Sequence, residues 1–569
     1  MNRPISLIAI CLLLTPFAAA QSTAPNNSPR KPLTIEAIFA NGGITGRPPE
    51  TIQWTPDYTK FSFIQRDDSG EHGNLWAVNA ATGEKKLLVG ESKLATLAPP
   101  LEQIKDEREV ERITRYHVDP YRWAPDSKHL LFVPQGQLWL YSLENGTAVQ
   151  LISSPDSNGD PKFSPDGSRL AYLRKHNLYV LSGPDNAEKQ ITHDKDKRDK
   201  DKKDKDKNDN LLNGEVDWVY AEELGVRSNY FWSPDSKSIV FLHMDETRVP
   251  AYPITNWMPT HPTVDMEKYP KAGDPNPVVR LGVVSASGGD PKWISLGDNP
   301  DTYIPRFGWL RDGILWAEVL NRAQDNLDLY FIDARSGHSR KVLTEATSDA
   351  WVNVNDDMTI LKSGDRFLWS SWRDGTTQLY LYSFDKTNPL ASVATLERQL
   401  TKGDFEMLGV EAVDETAGVV YFNCNQGDPR QRQLYSVKLD GSGFQRVSRE
   451  DGTHHVTFAD DGKHYVDEFS ALMTPPRISA CGVSGSCKKI WDSHSVDNYG
   501  LTAPKFLEFK ADDGTTLYGE LLLPSESAPG KIPLIVNIYG GPAAQTVTDS
   551  WIQDWVGASG LFHQLLSQQ

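Results

Sequence analysis

Trp123-Ala-Pro-Asp-Ser-Lys-His-Leu-Leu-Phe-Val-Pro-Gln-Gly-Gln-Leu-Trp-Leu-Tyr141 is the stretch on which the fold turns. Pro125 fixes its own φ, and Asp126 with a small polar residue after it closes a tight turn. His129 to Val133 then reads as one strand and Leu138 to Tyr141 as the next. The unit is aromatic anchor, turn, strand, strand. It recurs at Trp54-Thr-Pro-Asp57, Phe163-Ser-Pro-Asp166 and Trp232-Ser-Pro-Asp235, each followed by a strand-like run: Phe61 to Ile64, Leu170 to Leu173, Ile239 to Leu242. Second strands follow at Leu75 to Val78 and Leu178 to Leu181.

Degenerate copies continue at Trp309, around Phe367-Leu-Trp369, at Val419 to Phe422 and at Phe458 to Gly462. Their second strands fall at Leu327 to Ile332, Leu379 to Tyr382 and Leu434 to Val437. About eight such units predict a mainly β chain closed into an eight-bladed β-propeller over residues 31–497, an architecture that protects sheet edges by radial repetition. Three segments break the period. Residues 93–121 form a long insert with a charged, helix-like middle carrying Arg108 and Arg112. Residues 194–209 alternate Asp with Lys and read as a solvated loop with no core of its own. Residues 246–280 are rich in Pro and Tyr.

The 569 residues carry a formal net charge of -17, which argues against nucleic acid or anionic lipid as the main partner. Residues 1–20, with Arg3, an apolar run from Ile5 to Leu14 and Ala18-Ala-Ala20, have the order of a signal peptide cleaved after Ala20, so a periplasmic or secreted protein is expected. Ile10 is too large to precede a lipidated Cys11. No later segment has the apolar length of a membrane span. Cys481 and Cys487 share a Gly/Ser-rich loop and are either bonded or two free thiols, while Cys424 lies in an apolar strand-like run.

Within the propeller, Asp217-Trp-Val-Tyr-Ala-Glu-Glu-Leu224 sets two adjacent carboxylates behind a Trp and a Tyr. Neighbouring acids by themselves are ordinarily a solvated face. Fixed by aromatic packing at a cavity wall, such a pair can instead hold one ammonium group, and so read a free amino terminus. After Asp497 the pattern changes. Phe506 to Phe509, a turn at Asp512-Asp-Gly514 and Thr516 to Leu523 read as paired strands, and Pro533 to Ile538 as a fully buried one, opening a second domain over 498–569.

These residues resemble the dipeptidyl peptidase IV branch of the prolyl oligopeptidase serine peptidases. The resemblance runs from about Leu33 onward and is specific in Asp217-Trp-Val-Tyr-Ala-Glu-Glu223, in Tyr269-Pro-Lys-Ala-Gly273 with Asn276-Pro277, and in Tyr539-Gly-Gly-Pro542. It implies an α/β-hydrolase domain after the propeller and an active site between the two. It also implies removal of amino-terminal dipeptides with Pro or Ala as the penultimate residue. Glu222 and Glu223 would grip the substrate ammonium, Tyr539 would donate to the oxyanion, and Arg108 or Arg112 would hold substrate carbonyls. A homodimer is left open.

The chain departs from the family in one large respect. Acyl transfer needs an activated nucleophile, which the family supplies as Ser in Gly-x-Ser-x-Gly, with Asp and His following. No such motif occurs in the sequence. Gly482-Val-Ser-Gly-Ser486 and Gly557-Ala-Ser-Gly-Leu561 fail at the last position, and His563 sits in a helix-like apolar run expected to pack on the sheet. The expectation is therefore a chain that stops inside the hydrolase domain, inactive alone. The alternative is a non-catalytic propeller that binds peptide amino termini or a protein partner. His454-His455 would point to opposite faces of a strand without further metal ligands, and no phosphate loop is present, so neither metal nor cofactor is expected.

Overall fold

The computed structural model describes residues 30–104, 110, 113–114, 118–183, 187–193, 210–297, 299–524, 530–541, 544–552 and 559–569. The segments read as a signal peptide and as the Asp/Lys loop, and both Arg108 and Arg112, lie outside the described residues.

Eight antiparallel sheets follow one another along the chain. The first is built from Glu50–Trp54, Lys60–Arg66, Gly73–Asn79 and Lys85–Val89. The other seven fall within 121–150, 159–190, 211–294, 302–346, 359–399, 407–446 and 453–492. In six of them consecutive strands are neighbours, so those blades are simple meanders. Fourth strands such as Lys85–Val89, Ala187–Gln190 and Thr395–Gln399 are largely exposed and form the rim. Second strands such as Lys60–Arg66 and Val419–Cys424 are buried on both faces, which is why they read as continuous apolar runs.

The repeated Trp explains how blades join. Trp54 Nε1 donates to Thr457 O (3.0 Å), Trp232 Nε1 to Lys162 O (3.0 Å) and Trp309 Nε1 to Phe231 O (3.1 Å), in each case on the first strand of the preceding blade. Trp123 Nε1 donates to Ser62 Oγ (2.8 Å), again one blade back. The anchor is thus a packing group with a polar handle, and its handle bridges neighbouring first strands around the axis. The Trp54 bond joins the first blade to the eighth and closes the ring. The Asp of each repeat holds the turn: Asp166 accepts from Ser164 Oγ (2.6 Å) and Ser168 N (2.9 Å), which draw its carboxyl down to about 2.

Blade four departs from the simple meander. Its innermost position is shared by Leu211–Asn213 and Tyr230–Trp232, which pair with opposite ends of Ser238–Asp245. Residues 214–229 loop out between them. The irregular segment at 246–280 contains a separate hairpin, Ala251–Asn256 with Thr263–Lys268.

Beyond the blades, Lys505–Lys510 pairs with Thr516–Leu521 as expected, the turn closing through Gly514 N to Ala511 O (2.9 Å). The expected buried strand at 533–538 is not formed. Those residues join no sheet among the described residues and are exposed, Ile538 to 78%. An apolar run becomes a buried strand only when ladders flank it, and none does here. Ser559–Gln568 is a helix, but its buried Leu561 and Leu565 pack with Leu33, Ile38, Ile44 and Ile552 rather than on a sheet. Cys481 and Cys487 are bonded across the outer strands of blade eight. His454 is buried against Asp467 (3.0 Å) while His455 faces outward, as alternation along a strand requires.

Candidate functional site

The loop that leaves the innermost strand of blade four carries the acidic pair. Asp217 caps the short helix Trp218–Glu222, its Oδ1 accepting from Tyr220 N at 2.8 Å. Val219, Tyr220, Leu224 and Val226 turn inward and join the largest apolar core, which blades four, five and six share. Glu222, half-buried, ends the helix and Glu223, exposed, follows it. The loop interrupts an innermost strand, so the pair sits between the two segments that share that position in blade four.

Sequence segments far apart converge on this helix. The Trp218 ring lies 4.4 Å from that of Tyr269, which in turn lies 5.8 Å from Tyr252 in the blade-four hairpin. Asn276 Nδ2 donates to Tyr303 Oη (2.7 Å), and the Tyr303 ring lies against Tyr220. Tyr220 Oη accepts from Ile304 N (2.9 Å). Tyr269 and Asn276, two of the residues that carried the resemblance, are therefore the buttress of the pair.

The helix end is closed by arginines. Arg227 Nη1 donates to Ala221 O (2.6 Å) and Val226 O (3.1 Å), and Arg306 Nη1 donates to Leu224 O (2.9 Å). Cations are favoured where helix carbonyls lack intrahelical donors. Sequence reasoning missed both, since only the interruption at Ile304-Pro305 hints that Arg306 leaves its strand. A largely apolar cavity of about 790 Å³ opens beside the helix end, with Gly225, Val226, Phe231, Arg306, Trp309 and Trp316 in its wall.

Behind the helix lies a set of buried acids. Burial pushes Asp217 up to about 6, and burial together with the nearby Asp217 pushes Glu246 up to about 7. Tyr539, half exposed, lies in the unpaired 530–541 segment outside any sheet. Among the described residues no group of His, Cys, Asp or Glu has the geometry of a metal site.

The fold and this helix define a class: an eight-bladed propeller with an acidic pair on a helix looped out of blade four. The family model described as the dipeptidyl peptidase IV (DPP IV) N-terminal region matches residues 125–476. The chain belongs to that family. It is 25% identical over 593 residues to a probable dipeptidyl-aminopeptidase B of Talaromyces stipitatus, covering 94% of this chain and 62% of the relative. It is 25% identical over 559 residues to a probable dipeptidyl peptidase 4 of Aspergillus flavus, covering 93% and 67%. The fold matches the crystal structure of Porphyromonas gingivalis dipeptidyl peptidase 4 with a TM-score of 0.75 at 22% identity, over 94% of this chain and 73% of that one. The chain thus spans roughly two thirds of the length of the proteins it resembles.

Proposed function

We propose that this chain recognises the free amino terminus of a peptide, with Glu222 and Glu223 together holding the ammonium group. The observation that carries the reading is the placement of the pair: a helix looped out of an innermost strand, locked from behind by Tyr220, Trp218 and Tyr269. Two carboxylates on one rigid turn can share a cation.

This recognition would belong to a serine dipeptidyl peptidase that releases amino-terminal dipeptides with penultimate Pro or Ala, a reading supported by relatives named dipeptidyl-aminopeptidase B and dipeptidyl peptidase 4. In that reaction Tyr539 is assigned as the oxyanion donor. No Gly-x-Ser-x-Gly motif occurs in these 569 residues, and the proposal for this polypeptide by itself is binding without cleavage. Export across the membrane through residues 1–20 completes the proposal, and the bonded Cys481–Cys487 pair favours an oxidising compartment.

Calorimetric titration with the tripeptide Ala-Pro-Phe and its N-acetyl form tests the core claim. The free amine is expected to bind and the acetylated form to bind far more weakly. Glu222→Gln or Glu223→Gln should each cost about 2–5 kcal/mol of the free-amine affinity. Equal affinity for both peptides would refute amino-terminal recognition. Measurable turnover of an Ala-Pro amide would refute binding without cleavage.

A further inference from the structure

Blade five breaks its innermost strand at Ile304-Pro305-Arg306, between Thr302–Tyr303 and Phe307–Arg311. Proline has no N–H to give to a ladder, and the break turns its two neighbours toward blade four. Ile304 N donates to Tyr220 Oη (2.9 Å), and Arg306 Nη1 donates to Leu224 O (2.9 Å), directly after the acidic pair. The same guanidinium donates through Nε to Asp356 Oδ1 at 2.6 Å, in the segment leading into blade six. One half-buried side chain therefore ties three blades together at the end of the acidic helix.

The electrostatics of that end make the tie consequential. Helix C-termini favour cations, yet this one carries two carboxylates in its last turn. The chain must also reverse at once: Gly225 sits at φ +63°, and Val226 N returns to Tyr220 O at 2.8 Å. Arg306 supplies the donor for Leu224 O, and Asp356 holds Arg306 in place. Only a planar fork can serve both directions, which an ammonium cannot do with the same geometry.

Resting on the assignment of Glu222 and Glu223 as the amino-terminus site, we infer that Arg306 is a positioning residue for the pair. It acts through the Leu224 carbonyl, with Asp356 as its own anchor, and fixes the direction in which the two carboxylates leave the helix. Its guanidinium is taken up by Leu224 O, Pro305 O and Asp356 Oδ1. Its loss therefore changes selectivity for a free amine and leaves contacts with the rest of the peptide alone.

The test is a titration of Arg306→Ala, Arg306→Lys and Asp356→Asn with Ala-Pro-Phe and its N-acetyl form, alongside Glu222→Gln and Glu223→Gln. Hydrogen exchange across residues 218–226 is followed in the same proteins. Arg306→Ala should weaken the free-amine peptide about tenfold or more while leaving the acetylated one unchanged, and Arg306→Lys should recover only part. The amides of Leu224 and Val226 should exchange faster, with Ser238–Asp245 at its original rate. A free-to-acetyl affinity ratio in Arg306→Ala within about twofold of the original, while Glu222→Gln collapses it, would overturn the role of Arg306 alone. If neither glutamine variant moves the ratio, the amino-terminus reading itself falls. Unchanged exchange at 218–226 in Arg306→Ala would overturn the positioning role whatever the titration shows. Should Arg306→Ala fail to fold, Asp356→Asn is held to the same two criteria, with a smaller shift expected in the same direction.

Discussion

Ser127 adopts φ 56° in the turn after Asp126, the same left-handed conformation that Gly167 adopts after Asp166 in the next blade. A residue with a Cβ pays about 1 kcal/mol there and glycine pays nothing. Ser127→Gly should therefore raise the stability of the protein by up to about 1 kcal/mol, read as a higher urea midpoint. At the acidic helix a different residue-scale effect operates. Asp217 and Glu246 hold their protons in the fold to about 6 and about 7, against ordinary values near 4 when unfolded. Raised acids stabilise the fold fully below their unfolded values and lose that contribution as pH rises through the folded ones. Their contribution should thus fall between about pH 4 and pH 7, and Glu246→Gln should flatten that fall in urea midpoints measured across the window. The acidic pair was legible from Asp217 to Leu224 because cap, aromatics and acids lie within eight consecutive residues. The fork of Arg306 was not, because its partners Leu224 and Asp356 lie on other blades.

At the scale of elements, strand runs and turns were read correctly wherever the pattern was local. Val419–Cys424 and Ser238–Asp245 are buried on both faces and announce themselves as apolar runs. The run at 533–538 has the same pattern and forms no strand, since composition sets the capacity for a ladder and neighbours decide whether one forms. The helix Ser559–Gln568 was likewise visible, and its partner, the N-terminal segment with Leu33 and Ile38, was not. The Cys481–Cys487 bond joins adjacent strands of blade eight across a short loop. Loop-closure entropy puts its stabilising contribution at about 2 kcal/mol, so replacing both cysteines by serine should lower stability by that order in urea unfolding.

For the whole molecule, among the described residues no strand is shared between the first blade and the eighth. The described contacts across the joint include Trp54 Nε1 to Thr457 O, Tyr58 Oη to Asp460, Lys488 Nζ to Ala81 O, the backbone bond His494 N to Thr45 O, and a core joining Phe61 and Phe63 to Val466 and Ile478. Trp54→Phe keeps an aromatic against Phe61 but removes the bond, and should cost about 1 kcal/mol. Hydrogen exchange should rise in Lys60–Arg66 and His464–Ala471 together, because opening the joint exposes both; a rise in one alone would contradict closure through this contact. The sequence by itself determined the repeat, the number of blades and the position of the acidic pair along the chain, since each is written in residues a few places apart. The tertiary structure alone decided that Tyr269 packs on Trp218 of the acidic helix, that Asn276 reaches Tyr303 and Arg306 reaches Leu224 O, and that 533–538 joins no sheet among the described residues. Those outcomes depend on contacts between segments tens to hundreds of residues apart, which local pattern does not encode.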